Sequence, residues 1–278
     1  MEAGNLPASS VSDPVQDVRD QLVTMKSEID GLQIQAAERS KPWYRQASTV
    51  IAVIALLFSA ATTYYANVRT AEQEVRAARA ELGQLIQRLS ALPKENMELR
   101  ASYADNLEVL GAQGGSIATE TLVLGQQAAD VIDRLPDDVS ATEYYAVANA
   151  LMQSGFYTRA QSLTERGLQR DADLTTKASL RRTQGNLFFL TGPLAEGRRE
   201  MKRALDLYAD QPDELRASAS AYTEIFRASA EESAGQCQEV TSHADQAEEL
   251  VSSMSETEFR RQLTAMIIAA RSPAGRCP

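Results

Sequence analysis

The chain has one long apolar stretch between two polar regions. No charged residue occurs between Arg45 and Arg69, and a helix of this length crosses the roughly 30 Å hydrocarbon core of a bilayer. Aromatic rings, which favour the depth of the lipid headgroups, stand at both ends: Trp43, Tyr44, Tyr64 and Tyr65. The pattern predicts a single transmembrane helix over 46–66; the alternative is the buried core helix of a soluble domain.

The residues that flank this helix indicate its orientation. Arg39, Lys41 and Arg45 precede it, and an excess of basic residues marks the cytoplasmic side. Both cysteines follow it, which suits an oxidising exterior because disulfides persist there. We therefore expect an uncleaved signal anchor with a cytoplasmic N-terminus, an extracytoplasmic C-terminal domain and a disulfide between Cys237 and Cys277. The alternative for the cysteines is two free thiols in a reducing compartment.

On the N-terminal side of the span, apolar residues recur at alternating steps of three and four. Residues 1–13 are polar and without pattern, so we expect a disordered tail there. Residues 14–38 then show the apolar spacing of a coiled-coil seam, carried by Val15, Val18, Leu22, Met25, Ile29, Leu32 and Ala36. This spacing predicts a short heptad helix in the cytoplasm; the alternative is an amphipathic helix that lies on the membrane surface.

The same spacing returns after the span, over residues 67–135. Such a seam predicts a coiled-coil stalk that forms a parallel homodimer. Pro93 and the glycines within 111–116 disfavour helix, so we expect breaks at both places. The alternative is a helical hairpin that folds back at 111–116 and buries the same seam against itself. The strongest part of the seam is Val68, Ala71, Val75, Ala78, Leu82, Leu85, Leu89 and Leu92.

A sequence repeat occupies the C-terminal half of the chain. Two units, which start at Ala141 and Ala178, carry small and bulky residues at matching places: Tyr144, Ala148, Leu151, Gly155, Tyr157 and Ala160, then Gly185, Phe188, Gly192, Leu194 and Gly197. The pattern resembles the tetratricopeptide repeat, in which small residues admit the bulky side chains of a neighbouring helix. The resemblance covers about residues 141–210 and implies an α-solenoid over 137–278. A third helical pair follows, but it does not align uniquely with the first two.

The resemblance also implies a peptide-binding groove on the first helix of each unit. The positions that line the groove in this family include here Tyr145, Asn149, Met152, Arg182, Asn186 and Phe189. Aromatic and polar side chains with one arginine suit an extended or helical peptide. Some family members clamp a carboxylate with Lys and Asn at places two and six. That arrangement is not expected, because this chain has Thr142, Ala146, Ser179 and Thr183 at those places.

The distribution of charge narrows the range of partners. The formal net charge of −10 argues against nucleic acid as a partner. Basic residues dominate 159–203, whereas acidic residues dominate 204–258. Such segregation is expected to steer charged partners; the alternative is two ordinary solvated surfaces.

The chain lacks the residue patterns of common catalytic and metal sites. No phosphate-binding loop, HExxH, GxSxG or dinucleotide-binding fingerprint occurs. The single histidine, His243, lies in a polar helical segment and is expected at the surface. We therefore predict that the protein is not an enzyme and uses neither a metal nor a cofactor.

Together these patterns predict an all-α protein with a transmembrane helix, a coiled-coil stalk and a tetratricopeptide-like solenoid. The outline resembles bacterial envelope proteins that join a membrane anchor to tetratricopeptide repeats, so we expect a bacterial inner membrane with the repeats in the periplasm. The expected function is a dimeric, membrane-anchored scaffold or adaptor that binds other proteins or peptides through its groove. The alternative is a transmembrane sensor that passes binding at the repeats to the N-terminal helix.

Overall fold

A computed structural model describes four ranges of the chain: 14–37, 43–103, 106–135 and 138–271. Within these ranges the protein is helical and contains no β-strand, so the predicted all-α class is confirmed. Its described helices are α1 (Pro14–Ala37), α2 (Trp43–Ser102), α3 (Leu107–Arg134), α4 (Ala141–Gln153), α5 (Tyr157–Leu168), α6 (Leu174–Thr191), α7 (Leu194–Asp206), α8 (Asp213–Ser233), α9 (Cys237–Ser252) and α10 (Glu258–Arg271).

The chain forms two compact units, Met1–Thr70 and Ala71–Pro278. In the first unit, α1 begins at Pro14, whose ring fixes φ at a value suited to the first position of a helix. α1 covers the predicted heptad helix, and Leu22 of its seam is exposed. Residues 1–13, predicted to be a disordered tail, lie outside the described part of the chain.

The apolar stretch belongs to α2. Among the described helices, one is long and apolar enough to span a membrane, namely α2 over Val50–Ser102, and its most apolar part is not buried by other residues. Hydroxyl groups in this stretch bond to the carbonyls of their own helix. Thr62 Oγ1 donates to Phe58 O, and Thr63 Oγ1 donates to Ser59 O, both at 2.9 Å. These two hydroxyls are therefore satisfied within the helix itself.

In the second unit, α2 and α3 form an antiparallel pair. The Asn106 side chain caps α3 by accepting a hydrogen bond from Val109 N at 3.2 Å. Two ion pairs show the direction. Arg88 Nε lies 2.6 Å from Glu120 Oε1, and Arg134 Nη2 lies 3.0 Å from Glu81 Oε2. The earlier residue of α2 thus pairs with the later residue of α3, as in an antiparallel arrangement. The hydrogen bonds from Arg88 also lower the pKa of Glu120.

The apolar seam of α2 is largely buried within this one chain. Its members Ala78, Leu82, Leu89 and Leu92 share a core cluster with Ala128, Val131 and Ile132 of α3. By contrast, Val68 and Val75 are each 40% exposed. A hairpin within one chain thus describes the arrangement from Ala78 onwards, although its turn does not lie at 111–116 as the alternative had it. The parallel homodimer stays a prediction, and it concerns the exposed start of the seam.

The helix breaks do not lie at the predicted positions. α2 continues through Pro93, and α3 includes the glycines of 111–116. The chain reverses direction between Ser102 and Leu107 instead. Each of the three glycines disfavours a helix by about 1 kcal/mol, and Pro93 does so by about 3 kcal/mol. Burial of the apolar residues on the same helices outweighs these costs, because each buried side chain contributes about 1.5–3 kcal/mol.

The predicted domain boundary at 137 does not separate two packing units. The core cluster that contains Leu82 and Ile132 also contains Tyr144 and Leu151 of α4, all of them fully buried. The compact unit instead begins at Ala71. The α2–α3 pair is therefore the first layer of the C-terminal unit.

Three helical hairpins follow: α4 with α5, α6 with α7, and α8 with α9. The first helix of each hairpin ends near a glycine in the left-handed region, and the second helix begins two residues later. These glycines are Gly155 (φ 84°), Gly192 (φ 115°) and Gly235 (φ 73°). Successive hairpins pack on one another through their first helices, since α4 contacts α6 and α6 contacts α8, and α10 covers α8 and α9.

Small residues bring the two helices of the second hairpin together. A Cβ added to Gly197 would lie 2.7 Å from the Phe189 ring, and one added to Gly185 would lie 3.1 Å from Gly197 O. The first distance is shorter than real Cβ contacts, and the second would require the neighbouring backbone to move by a few tenths of an ångström. These two glycines occupy the places at which the repeat pattern predicts close packing, and the contact explains why they lack side chains.

Candidate functional site

A cleft of about 910 Å³ lies between the C-terminal part of α2, α3 and α4. Small residues form much of its wall, including Gly114, Ala118, Ala146 and Ala150. No acidic residue is among the described residues that line it. A volume of this order suits a small ligand or a short peptide. The polar residues of the lining include Asn96, Arg100, Thr121, Tyr145, Asn149 and Gln153.

Two of the six predicted groove residues line this opening, and Asn186 is not among its lining residues. Tyr145 and Asn149 line the cleft directly from α4. Asn186 on α6 is half-buried, and its Nδ2 lies 3.6 Å from the sulfur of Met152. Tyr145 and Asn149, which the repeat resemblance places on a peptide groove, thus lie in the lining of the cleft, and their role in binding stays a prediction.

Met152 and Phe189 do not line a groove. Their side chains are 8% and 4% exposed, so the prediction that they face a peptide is corrected. Met152 belongs to the core shared by α2, α3 and α4. Phe189 packs with Met201 and lies over Gly197. Both face neighbouring helices because the adjacent small residues allow those helices to come close.

Arg182 is buried, with an exposed fraction of 6%. Its Nη2 donates to Ser179 Oγ at 3.0 Å, and its Nη1 donates to Thr223 Oγ1 of α8 at 3.2 Å. The guanidinium also lies over the Tyr222 ring, 5.0 Å from the centroid, a distance at which cation–π attraction operates. Burial lowers the pKa of Arg182. This residue therefore joins the second and third hairpins.

Tyr145 connects the cleft to Arg182. Its hydroxyl shares a hydrogen bond with Ser179, the residue that also accepts from Arg182. Burial raises the pKa of Tyr145, so its hydroxyl stays protonated at neutral pH. A continuous polar path thus runs from the wall of the cleft to the buried guanidinium.

Much of the segregated charge in the C-terminal unit is paired internally. Arg159 and Arg166 on α5 contact Asp133 of α3 at 3.1 and 2.7 Å. Arg198 of α7 contacts Glu231 of α8 through two hydrogen bonds of 2.7 and 2.9 Å. These pairs join successive layers of helices. The charge pattern therefore has a structural role, and its steering of partners stays a prediction.

The expectation that His243 lies at the surface is wrong. Its exposed fraction is 4%, and its Nδ1 lies 2.8 Å from Glu224 Oε2. The cause is its place on α9, where Val240, Ala244 and Ala247 form one buried stripe. The three-and-four spacing of these apolar residues is the sequence signal that predicts the burial.

Two other kinds of site were considered in the sequence, a disulfide and a metal centre. Cys237 is disulfide-bonded, while Cys277, the other cysteine of the chain, lies outside the described residues; their pairing stays a prediction. Among the described side chains, no cluster of three or more His, Cys, Asp or Glu residues has the geometry to hold a metal ion.

Comparison with known proteins adds no relative. The chain matches no family model, no curated protein and no solved structure. The sequence does not predict this cleft, because about two thirds of its lining residues, including Asn96, Arg100 and Thr121, belong to α2 and α3. A predicted extended stalk placed these residues far from α4.

Proposed function

We propose that this protein is a non-enzymatic, single-pass membrane adaptor that binds other proteins through its C-terminal helical unit. The observation that carries the proposal is the exposed apolar stretch of α2, which continues without a break into the helix that lines the cleft. An apolar surface of this extent in water would promote association. Burial of the stretch in a lipid bilayer avoids this association.

Two details of the stretch support a membrane location. The hydroxyls of Thr62 and Thr63 bond to carbonyls of their own helix, as polar groups in hydrocarbon require. At its C-terminal end, the Arg69 guanidinium lies 5.3 Å from the centroid of the Tyr65 ring. Aromatic and basic side chains of this kind anchor a helix at the headgroups.

The disulfide at Cys237 supports an extracytoplasmic location for the C-terminal unit, because disulfides are rare in reducing compartments. The basic residues that precede the span support a cytoplasmic N-terminus. We therefore propose an extracytoplasmic C-terminal unit. The resemblance in outline to bacterial envelope proteins extends this proposal to a bacterial periplasm, with the span in the inner membrane.

We further propose that the three hairpins form a tetratricopeptide-type solenoid. The supporting features are their glycine turns, the contacts between successive first helices and the close approach at Gly185 and Gly197. A parallel dimer is proposed for the membrane segment and the exposed start of the seam. Small residues at four-residue spacing, Ala55, Ser59 and Thr63, allow two such helices to approach.

A sensor is the second candidate function. It is favoured by one observation: Arg100 of the cleft and the apolar stretch belong to the same helix, α2. In a sensor, binding in the cleft must change the conformation or the association of α1. An adaptor has no such requirement.

Membrane insertion is expected to depend on the apolar side chains of the stretch. Replacing Ile54 and Leu57 with arginine should release the protein into the soluble fraction on alkaline carbonate extraction, because each arginine opposes insertion by about 2.5–3.5 kcal/mol. Replacing both with alanine should leave it in the pellet. A C-terminal alkaline phosphatase fusion should be active. Retention of the arginine variant, or an inactive fusion, would contradict the proposal.

Partner binding is expected to occur at the cleft. A photo-crosslinking amino acid placed at Asn149 in the full chain should give discrete adducts in cells, because this residue lines the cleft. The same amino acid at Ser162, which is exposed on α5, is the matched control and should give none of these adducts. Identical adduct patterns at the two positions would argue against the cleft as the binding site.

A further inference from the structure

Most arginines of the C-terminal unit have a carboxylate partner. Examples with side chains exposed by 40% or less are Arg159, Arg166, Arg181, Arg198 and Arg227, and each lies within 4.0 Å of an Asp or Glu oxygen. Arg182 is more buried than any of these. Yet among the described residues, no carboxylate lies within that distance of its guanidinium.

The surroundings of Arg182 are polar but neutral. Hydroxyl groups of Ser179 and Thr223 accept its hydrogen bonds, and the faces of Tyr222 and Phe226 lie 5.0 and 6.0 Å from it. Removing a cation from water costs several kcal/mol unless an anion compensates it. The buried charge therefore favours the arrival of an anion.

A second arginine without a carboxylate partner lines the cleft itself. Arg100 is exposed, and none of the described Asp or Glu oxygens lies within 4.0 Å of it. The described lining of the cleft has no acidic residue. Tyr145 belongs to this lining and shares Ser179 with Arg182. The described lining of the cleft thus contains one arginine without a carboxylate partner, and Tyr145 and Ser179 connect it to a second one, Arg182, which lies behind the lining.

We propose that the cleft binds an acidic peptide segment of the partner protein, one carboxylate of which pairs with Arg182. The carboxylate enters beside Tyr145 and replaces Ser179 Oγ as the acceptor for Arg182 Nη2. Arg100 attracts further acidic side chains at the surface. A single guanidinium matches the single charge of a carboxylate, whereas a phosphate dianion favours several cations. This inference rests on the proposed binding function and names the chemistry of the partner.

Selection from random peptide libraries tests this inference. The full chain, purified in detergent, is exposed to phage that display peptides either with a free C-terminus or within a coat protein. Wild-type protein should enrich peptides that contain Asp or Glu. Enrichment only with free C-termini identifies a terminal carboxylate as the source, whereas enrichment in both formats identifies side chains.

The affinity of one selected peptide then locates the contact. Changing its Glu residues to Gln should raise the Kd for wild-type protein about tenfold or more, since charge-assisted hydrogen bonds are about twice as strong as neutral ones. R182Q should raise the Kd of the acidic peptide by a similar factor and should change the Kd of the Gln peptide little. R100Q should weaken binding by up to about fivefold, as expected for an exposed pair. The matched control is R134Q, which removes an exposed arginine outside the cleft and should bind as wild type.

Thermal melting of R182Q separates binding from folding. If this variant unfolds, the comparison of Glu and Gln peptides on wild-type protein decides the question. Selected peptides without acidic enrichment, or equal Kd values for the Glu and Gln forms, would overturn this inference while leaving the binding function intact. Failure to select any peptide would overturn both.

Discussion

Leu82→Ala is expected to lower the free energy of unfolding of a fragment covering 67–278 by about 2–5 kcal/mol, the range for large-to-small changes in a core. Leu82 is fully buried in the cluster that joins α2, α3 and α4. Its removal leaves a cavity at the base of the C-terminal unit. Urea unfolding followed by circular dichroism measures the change.

The matched control is Val75→Ala, which alters the same apolar seam one heptad earlier. Val75 is 40% exposed, so its truncation should cost less than about 1 kcal/mol. Loss of stability that is similar for both variants and depends on protein concentration would contradict the hairpin. That result would indicate that the seam is buried between two chains.

Arg198→Met is expected to destabilise the same fragment by about 3–5 kcal/mol, the cost of leaving one member of a buried ion pair alone. Glu231 is fully buried, and both of its carboxylate oxygens accept hydrogen bonds from Arg198. The variant leaves this carboxylate without its cation between α7 and α8. Urea unfolding at neutral pH measures the loss.

Two further variants separate the charge from its packing. Glu231→Gln should cost less than Arg198→Met, because Arg198 is 39% exposed and reaches water when its partner is neutral. Arg198→Met combined with Glu231→Leu should recover most of the stability, since apolar pairs often replace buried ion pairs without loss. A double variant as unstable as Arg198→Met alone would show that the ion pair itself holds the hairpins together.

The sequence predicts the helices of this protein better than it predicts which helices pack against one another. Steps of three and four identified the buried face of α2 correctly, but the same spacing serves a dimer and an intramolecular hairpin alike. Pro93 and the glycines of α3 were weighed as local helix breakers. Tertiary burial outweighs them, as in the contact of Leu82 with the core that contains Ile132 of α3, and local propensity does not contain this burial.

The candidate site was predictable only in part for a similar reason. Tyr145 and Asn149 followed from their places on a repeat helix. The exposure of Phe189 was misjudged because it depends on Gly197 of the next helix. The opposite wall of the cleft depends on where the chain turns after Ser102. That turn brings Arg100 into the cleft lining.

The glycine turns of the three hairpins also explain why the last one escaped alignment. Gly155 and Gly192 are 37 positions apart, whereas Gly192 and Gly235 are 43 apart. Of the six extra positions, three lie in α8, which has 21 residues against 18 in α6, and the others lie in α7, in the connection before α8 and in the turn after it. Differences in length therefore occur within a hairpin as well as between hairpins, whereas the second helix of each hairpin always begins two residues after its glycine. Related chains are best recognised by aligning these glycines rather than by assuming a constant period.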